Sequence, residues 1–200
     1  MISIALSGDA FVGKTCFFKR FSVGQFEENT SSSIGCDVTC KKLILEGKSY
    51  NVQLWDTAGQ EIFRSTTATY FRNRSCVLFM FDLTSSETLS HVEDWLKTFY
   101  EINNENTPTL LVLIGTKCDL VAERVVTEDQ AKEFAKTHSI PYFECSSRLN
   151  INIDTIIHFV LKNLRNPPQL QQQTKKEEEP VILHVNVPDS EESQNDGMCC

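Results

Sequence analysis

The chain has 200 residues, of which 40% are hydrophobic and 23% charged, and a formal net charge of −8. That is apolar material for one globular domain plus a remainder, and the longest apolar runs, such as Leu110 to Ile114, fall far short of the roughly 20 residues that cross a bilayer. From Asn166 onward two lysines stand against seven acids, which puts −5 in the last stretch and −3 in residues 1–165; neither part offers a basic stripe, so no nucleic-acid partner is expected.

Ile2 to Ser7 reads as a short buried strand, and Lys14 to Val23 as a helix with Phe17, Phe18 and Phe21 on its apolar side. Two extended runs follow, Cys36 to Glu46 and Lys48 to Asp56, joined at Gly47 like a hairpin. A strand-then-helix unit then recurs: Cys76 to Phe81 before Glu87 to Asn103, Leu110 to Thr116 before Thr127 to His138, and Tyr142 to Cys145 before Ile153 to Leu164. Thr127 and Gln130 have capping-box spacing at a helix start. This alternation predicts an α/β domain over 1–165, with a mostly parallel six-stranded sheet, one antiparallel edge strand and helices on both faces. Pro167 and Pro168 end the last helix, and residues 166–200 read as a flexible acidic tail with one apolar interruption, Val181 to Val187.

The eight cysteines form no C-x-x-C pair and no regular framework, so a reduced, cytosolic compartment is expected and no metal-thiolate site. Cys36 and Cys40 read as small packing residues on one strand face. No signal peptide is expected, because the first apolar stretch runs straight into a glycine motif.

That motif, Gly8-Asp9-Ala10-Phe11-Val12-Gly13-Lys14-Thr15, follows the first strand and opens the first helix, as G-x-x-x-x-G-K-[ST] must. Its amides, continuing into Cys16, can surround phosphates, Lys14 can bridge the outer two, and the Thr15 hydroxyl can ligate Mg²⁺. The loop alone leaves ATP and GTP equally open. Trp55-Asp56-Thr57-Ala58-Gly59-Gln60 closes the third strand: Asp56 is set to hold Mg²⁺ through water, Gly59 to let its backbone approach the last phosphate, and Gln60 to orient an attacking water. Thr116-Lys117-Cys118-Asp119 leaves the fifth strand, where Asp119 can accept two hydrogen bonds from guanine and Lys117 can lie across the ring; Ser146-Ser147-Arg148, after the sixth, offers a backbone donor for the guanine oxygen.

With these motifs the chain resembles the Ras superfamily of small GTPases over residues 1 to about 165, and within it the Rab family of vesicle-traffic regulators. Ile34-Gly35-Cys36-Asp37-Val38 is similar to the Rab stretch IGxDF, Ile62-Phe63-Arg64-Ser65 to its ERFRS-type segment, Tyr70-Phe71-Arg72 to YYR, and the terminal Cys199-Cys200 to the Rab double cysteine. The resemblance implies a P-loop fold of three layers and a GTP-hydrolysing switch that is slow without an activating protein. By matching positions, Ser33 would close over Mg²⁺ and the terminal phosphate, Phe26 would stand edge-on to the base, and Thr30 to Val38 with Ile62 to Tyr70 would be the two mobile segments. Val38, Trp55 and Tyr70 match the hydrophobic triad that effectors read, with Ile34 beside them. Also implied are an exchange factor, an activating protein, effectors, a Rab escort protein or GDP dissociation inhibitor, and prenyl groups on Cys199 and Cys200. These would anchor a monomer to the cytoplasmic face of intracellular membranes, with a cytosolic pool.

The chain departs from the family pattern at five places. Phe11 is bulky in a loop position usually held by a small residue, Ser33 replaces threonine, Thr116 replaces asparagine, Ser147-Arg148 replaces Ala-Lys, and Val38 replaces phenylalanine. Phe11 and Ser33 motivate a rival reading as a GTP-bound docking module that scarcely hydrolyses; intact Gln60 opposes it. Asp119 argues against a P-loop kinase or ATPase.

Overall fold

A computed structural model of the protein describes residues 1–26, 36–57, 70–103 and 108–165. Six strands run in the order β1 (Ile2–Ser7), β2 (Cys36–Leu45), β3 (Lys48–Thr57), β4 (Cys76–Asp82), β5 (Leu110–Thr116) and β6 (Tyr142–Glu144). Between and after them lie α1 (Lys14–Val23), α2 (Ser86–Ile102), α3 (Glu128–Thr137) and α4 (Ile153–Arg165), with a 3₁₀ turn at Val121–Glu123. They form one sheet in the order β2-β3-β1-β4-β5-β6, in which only the β2–β3 pair is antiparallel. The alternation, the element boundaries to within a residue or two, and the single antiparallel edge match the sequence reading.

Each element forms for a local reason. β4, Cys-Val-Leu-Phe-Met-Phe-Asp, is buried along its whole length, as a central parallel strand covered on both faces must be. Helix α1 begins at Gly13 and stops at Gly24; both glycines hold left-handed φ values, 98° and 72°, and the Gly24 amide caps the Arg20 carbonyl. Helix α3 opens with a complete capping box, the Thr127 hydroxyl accepting from the Gln130 amide while the Gln130 side chain accepts from the Thr127 amide. The β2–β3 loop is two residues, Glu46 and Gly47, both at positive φ (48° and 73°) as a type I′ hairpin requires.

The sheet separates two cores. On one face α1 and α4 bury Phe17, Phe21, Ile156, Ile157, Val160 and Leu161 against Ile4, Leu6, Leu54 and Leu78. On the other, α2 and α3 bury Trp95, Leu96, Phe99, Ala131 and Ala135 against Val77, Phe79, Phe81 and Leu113. Phe71, Phe79 and Phe99 meet there with ring centroids 5.8–6.2 Å apart. The carboxyl ends of β1, β3, β4, β5 and β6 open on one edge of this three-layer stack, where ligands of such sheets bind.

Candidate functional site

The turn from β1 into α1 is shaped by two glycines. A Cβ on Gly8, whose φ is 136°, would collide with the backbone oxygen of Met80 in the neighbouring strand, so the tight exit from β1 admits only glycine. Gly13 turns the chain into α1 so that the first amides of the helix face the loop. Lys14 is buried at 5% exposure and its ammonium donates to the carbonyls of Gly8, at 2.9 Å, and Asp9. Burial lowers its pKa from 10.5 to about 8, against the opposing pull of Asp56 and Asp9. Val12 is buried, Ala10 and Cys16 are half-buried, and Phe11 projects into solvent at 76% exposure with φ 64°.

Two of the predicted metal residues meet. The Thr15 hydroxyl, in the first turn of α1, donates to Asp56 Oδ2 at 2.7 Å across the β1–β3 pair, and Asp56 is fully buried. A hydroxyl and a carboxylate side by side fit Mg²⁺, a hard cation that takes a few protein oxygens and fills its octahedron from phosphate and water.

Three contacts build the side of the edge where the sequence reading expects the base. The Cys118 amide donates to the Cys145 carbonyl and so draws together the loops that leave β5 and β6, which carry Lys117, Asp119, Ser146, Ser147 and Arg148. Lys117 sits at φ 59° with its ammonium 2.5 Å from Asp82 Oδ2, Asp119 is half-exposed, and buried Ser146 accepts the Leu149 amide on its hydroxyl. Thr116, expected at the base, is engaged elsewhere: its hydroxyl lies 2.6 Å from the Val12 carbonyl and 2.9 Å from that of Phe81, tying the phosphate loop to β4. Phe26 is half-buried just beyond α1.

Several supporting residues escaped the sequence reading. Arg20 reaches from α1 to donate to the carbonyls of Ser147, at 2.7 Å, and Arg148, at 3.0 Å, clamping the base loop. Asp9 accepts from the Trp95 indole at 2.9 Å and lies 2.6 Å from His91 Nδ1, so α2 holds the second residue of the phosphate loop. These partners lie 82 to 128 residues from the groups they hold, and no spacing rule links them.

Away from the phosphate loop, Val38 and Trp55 are directly paired across β2 and β3. Tyr70 joins them through Arg74, whose Nε donates to the Tyr70 carbonyl at 2.6 Å while its guanidinium lies 3.8 Å over the Trp55 ring. Ser33, Ile34, Gly59, Gln60, Cys199 and Cys200, with most of the two segments expected to be mobile, lie outside the described residues.

Comparison with known proteins agrees with this geometry. The Ras family profile matches residues 3–166. The chain is 36% identical to Ras-related protein Rab-1D of Dictyostelium discoideum over 92% of its own length and 89% of the relative's. It is 34% identical to GTP-binding protein YPT1 of Saccharomyces cerevisiae over 100% and 97%, and 30% identical to Ras-related protein Rab-10 of Caenorhabditis elegans over 100% and 96%. A phosphate-loop motif between the first strand and first helix of a six-stranded sheet with one antiparallel edge, a family profile over most of the chain, and relatives matched along nearly its whole length lead to one conclusion: this protein belongs to the Rab family of small GTPases and is a GTP-binding, GTP-hydrolysing switch of the membrane-traffic branch.

Proposed function

We propose that the GTP-bound form recruits effectors through the face around Val38, Trp55 and Tyr70, and that hydrolysis at the β1–α1 edge ends the interaction. The observation that carries the catalytic half is the Thr15–Asp56 contact beside buried Lys14. Mg²⁺, held by Thr15, Ser33 and, through water, Asp56, would neutralise charge on the outer phosphates. In the reaction a water oxygen bonds to the terminal phosphorus as the bond to the bridging oxygen breaks, and GDP keeps the electron pair. Gln60 orients that water; Lys14 and the loop amides from Asp9 to Cys16 stabilise the charge that gathers on the leaving oxygen. Gly59 meets the terminal phosphate. Phe26, Lys117, Asp119, Ser146, Ser147 and Arg148 read the guanine, while Thr116 acts by holding Val12.

The tail supplies the membrane. An acidic segment gives no polybasic signal, and stable anchoring takes two signals, so two prenyl groups on Cys199 and Cys200 would provide both. An escort protein or dissociation inhibitor would then carry a cytosolic pool. A Cys199→Ser/Cys200→Ser chain is expected in the soluble fraction of a cell lysate; its retention on membranes would refute the anchor.

One observation favours the slower docking-module reading: Phe11 stands exposed in the phosphate loop in a left-handed conformation costly for a bulky residue. Single-turnover hydrolysis of GTP loaded with Mg²⁺, followed as the ratio of bound GDP to GTP, decides between the two. Slow conversion that Gln60→Leu abolishes is expected. GTP stable for many hours in the wild type, and consumed in Phe11→Gly, would establish the docking module.

A further inference from the structure

The chain is strongly acidic, yet one face of it is not. By strand alternation β2 residues 36, 38, 40, 42 and 44 and β3 residues 49, 51, 53, 55 and 57 share a face, with Val38 opposite Trp55 and Lys42 opposite Asn51. No acid occurs among them; Asp37 and Asp56 fall on the opposite face. Helices α2 and α3 cover this side of the sheet over β4 and β5, and the β2 positions from Val38 to Ile44 on it are exposed.

Arg74 is built into that face. Ser3 pairs with Gln53 and Ala5 with Trp55, so the row continues across β1, and Arg74 lies over it. Its guanidinium is fixed at three points: Nε on the Tyr70 carbonyl, one Nη on the Ser3 hydroxyl at 2.9 Å, and the plane on the Trp55 ring. A guanidinium has five N–H donors. Two are engaged, so three, on its far end, have no acceptor among the described residues, and no carboxylate there is in contact with them. An arginine held this rigidly loses little further freedom on binding, and its free end is the fork that matches a carboxylate with two parallel hydrogen bonds. Stacking on Trp55 keeps the fork in place without neutralising it.

We propose that Arg74 is a specificity-determining residue of the recognition face, and that the partner is a protein segment presenting an aspartate or glutamate carboxylate to Arg74 beside an apolar side chain over Val38. Lys42 extends the same charge preference along β2. The proposal rests on the reading of this face as the effector surface and names the chemistry of what binds there. An acidic partner is otherwise disfavoured by the chain's net charge of −8, so the discrimination is local and made at Arg74.

The test uses the full chain loaded with a hydrolysis-resistant GTP analogue as bait for a displayed library of random peptides, with the GDP-loaded chain as the comparison. Selected peptides are expected to carry an Asp or Glu next to an apolar residue. Changing that acid to its amide should weaken binding at least tenfold on the wild type and less than twofold on Arg74→Gln. Arg74→Lys, which keeps the charge and loses the fork, should fall between the two, and retained guanine nucleotide reports that each variant is folded. Peptides without acids, a loss of the same size on wild type and Arg74→Gln, or no selected peptide at all would overturn the proposal. Peptides that bind the GTP and GDP forms equally would instead overturn the effector reading, while the Arg74 comparison still decides the role of the guanidinium.

Discussion

Lys14 shows how a single cation can be held by the loop that precedes it, among the residues proposed to meet the phosphates. Its ammonium is withdrawn from water, and backbone carbonyls are its hydrogen-bond acceptors. With a folded pKa near 8 against 10.5, the unfolded chain binds a proton that the folded chain lacks between those values. In protein stripped of nucleotide, the stability of the wild type relative to Lys14→Met should therefore rise with pH from about 8 to 10.5, because the burial penalty is fully present below 8 and relieved above it. Thermal denaturation of both at pH 7.5 and 9.5 checks the sign: the melting temperature of the wild type minus that of Lys14→Met should be higher at pH 9.5 than at pH 7.5, and a lower value there would contradict it. Gly8→Ala meets the Met80 backbone and should lose nucleotide retention outright. The motif residues were legible in the sequence because a phosphate loop is local: eight consecutive positions carry it. Arg20, His91, Trp95 and Arg74 were not, since each acts on a group that is distant in sequence or brought to it only by strand pairing.

At the scale of elements, connections decide what the edge can do. Thr116 bridges β5, β4 and the phosphate loop with one hydroxyl, a role that its position after an apolar strand hid behind the expectation of a base contact. Thr116→Val removes the single hydroxyl proton that the buried carbonyls of Val12 and Phe81 share, at about 1–3 kcal/mol. Faster release of GDP, by roughly tenfold, is expected in a fluorescent-nucleotide displacement assay, with guanine-over-adenine preference intact. The α3 capping box was visible as Thr127 and Gln130 three residues apart, and it forms. Thr127→Ala should cost about 1 kcal/mol, which for a domain of this size is a melting point lower by about 2–4 °C. The hairpin was only half legible: Gly47 announces a turn, but the left-handed Glu46 beside it follows from the two-residue loop that the β2–β3 register imposes.

For the whole molecule, the alternation of strands and helices revealed the class, the six strands and the antiparallel edge. The lateral order was beyond it, because parallel neighbours are joined by crossovers and leave no local mark of which strand lies beside which. That order puts β1 between β3 and β4, and it sets one packed layer on each side of the sheet. Phe99 stands in the ring cluster of one layer, one helical turn beyond Trp95, whose indole holds Asp9 of the phosphate loop. Phe99→Ala should cost about 3–5 kcal/mol in chemical denaturation while the nucleotide affinity of the remaining folded fraction is kept. Loss of affinity in step with stability would mean that the two faces of the sheet do not act independently.

The clamp from Arg20 to Ser147 and Arg148 gives the domain a temporal property. During synthesis the phosphate loop leaves the ribosome before its neighbour Met80, which comes 72 positions later, and before the clamped loop at Ser147 and Arg148, more than a hundred later. A nascent chain therefore carries a nucleotide motif long before it can hold a nucleotide. If the loops after β5 and β6 hold the base, as proposed, bound guanine nucleotide marks a chain that has been synthesised past β6.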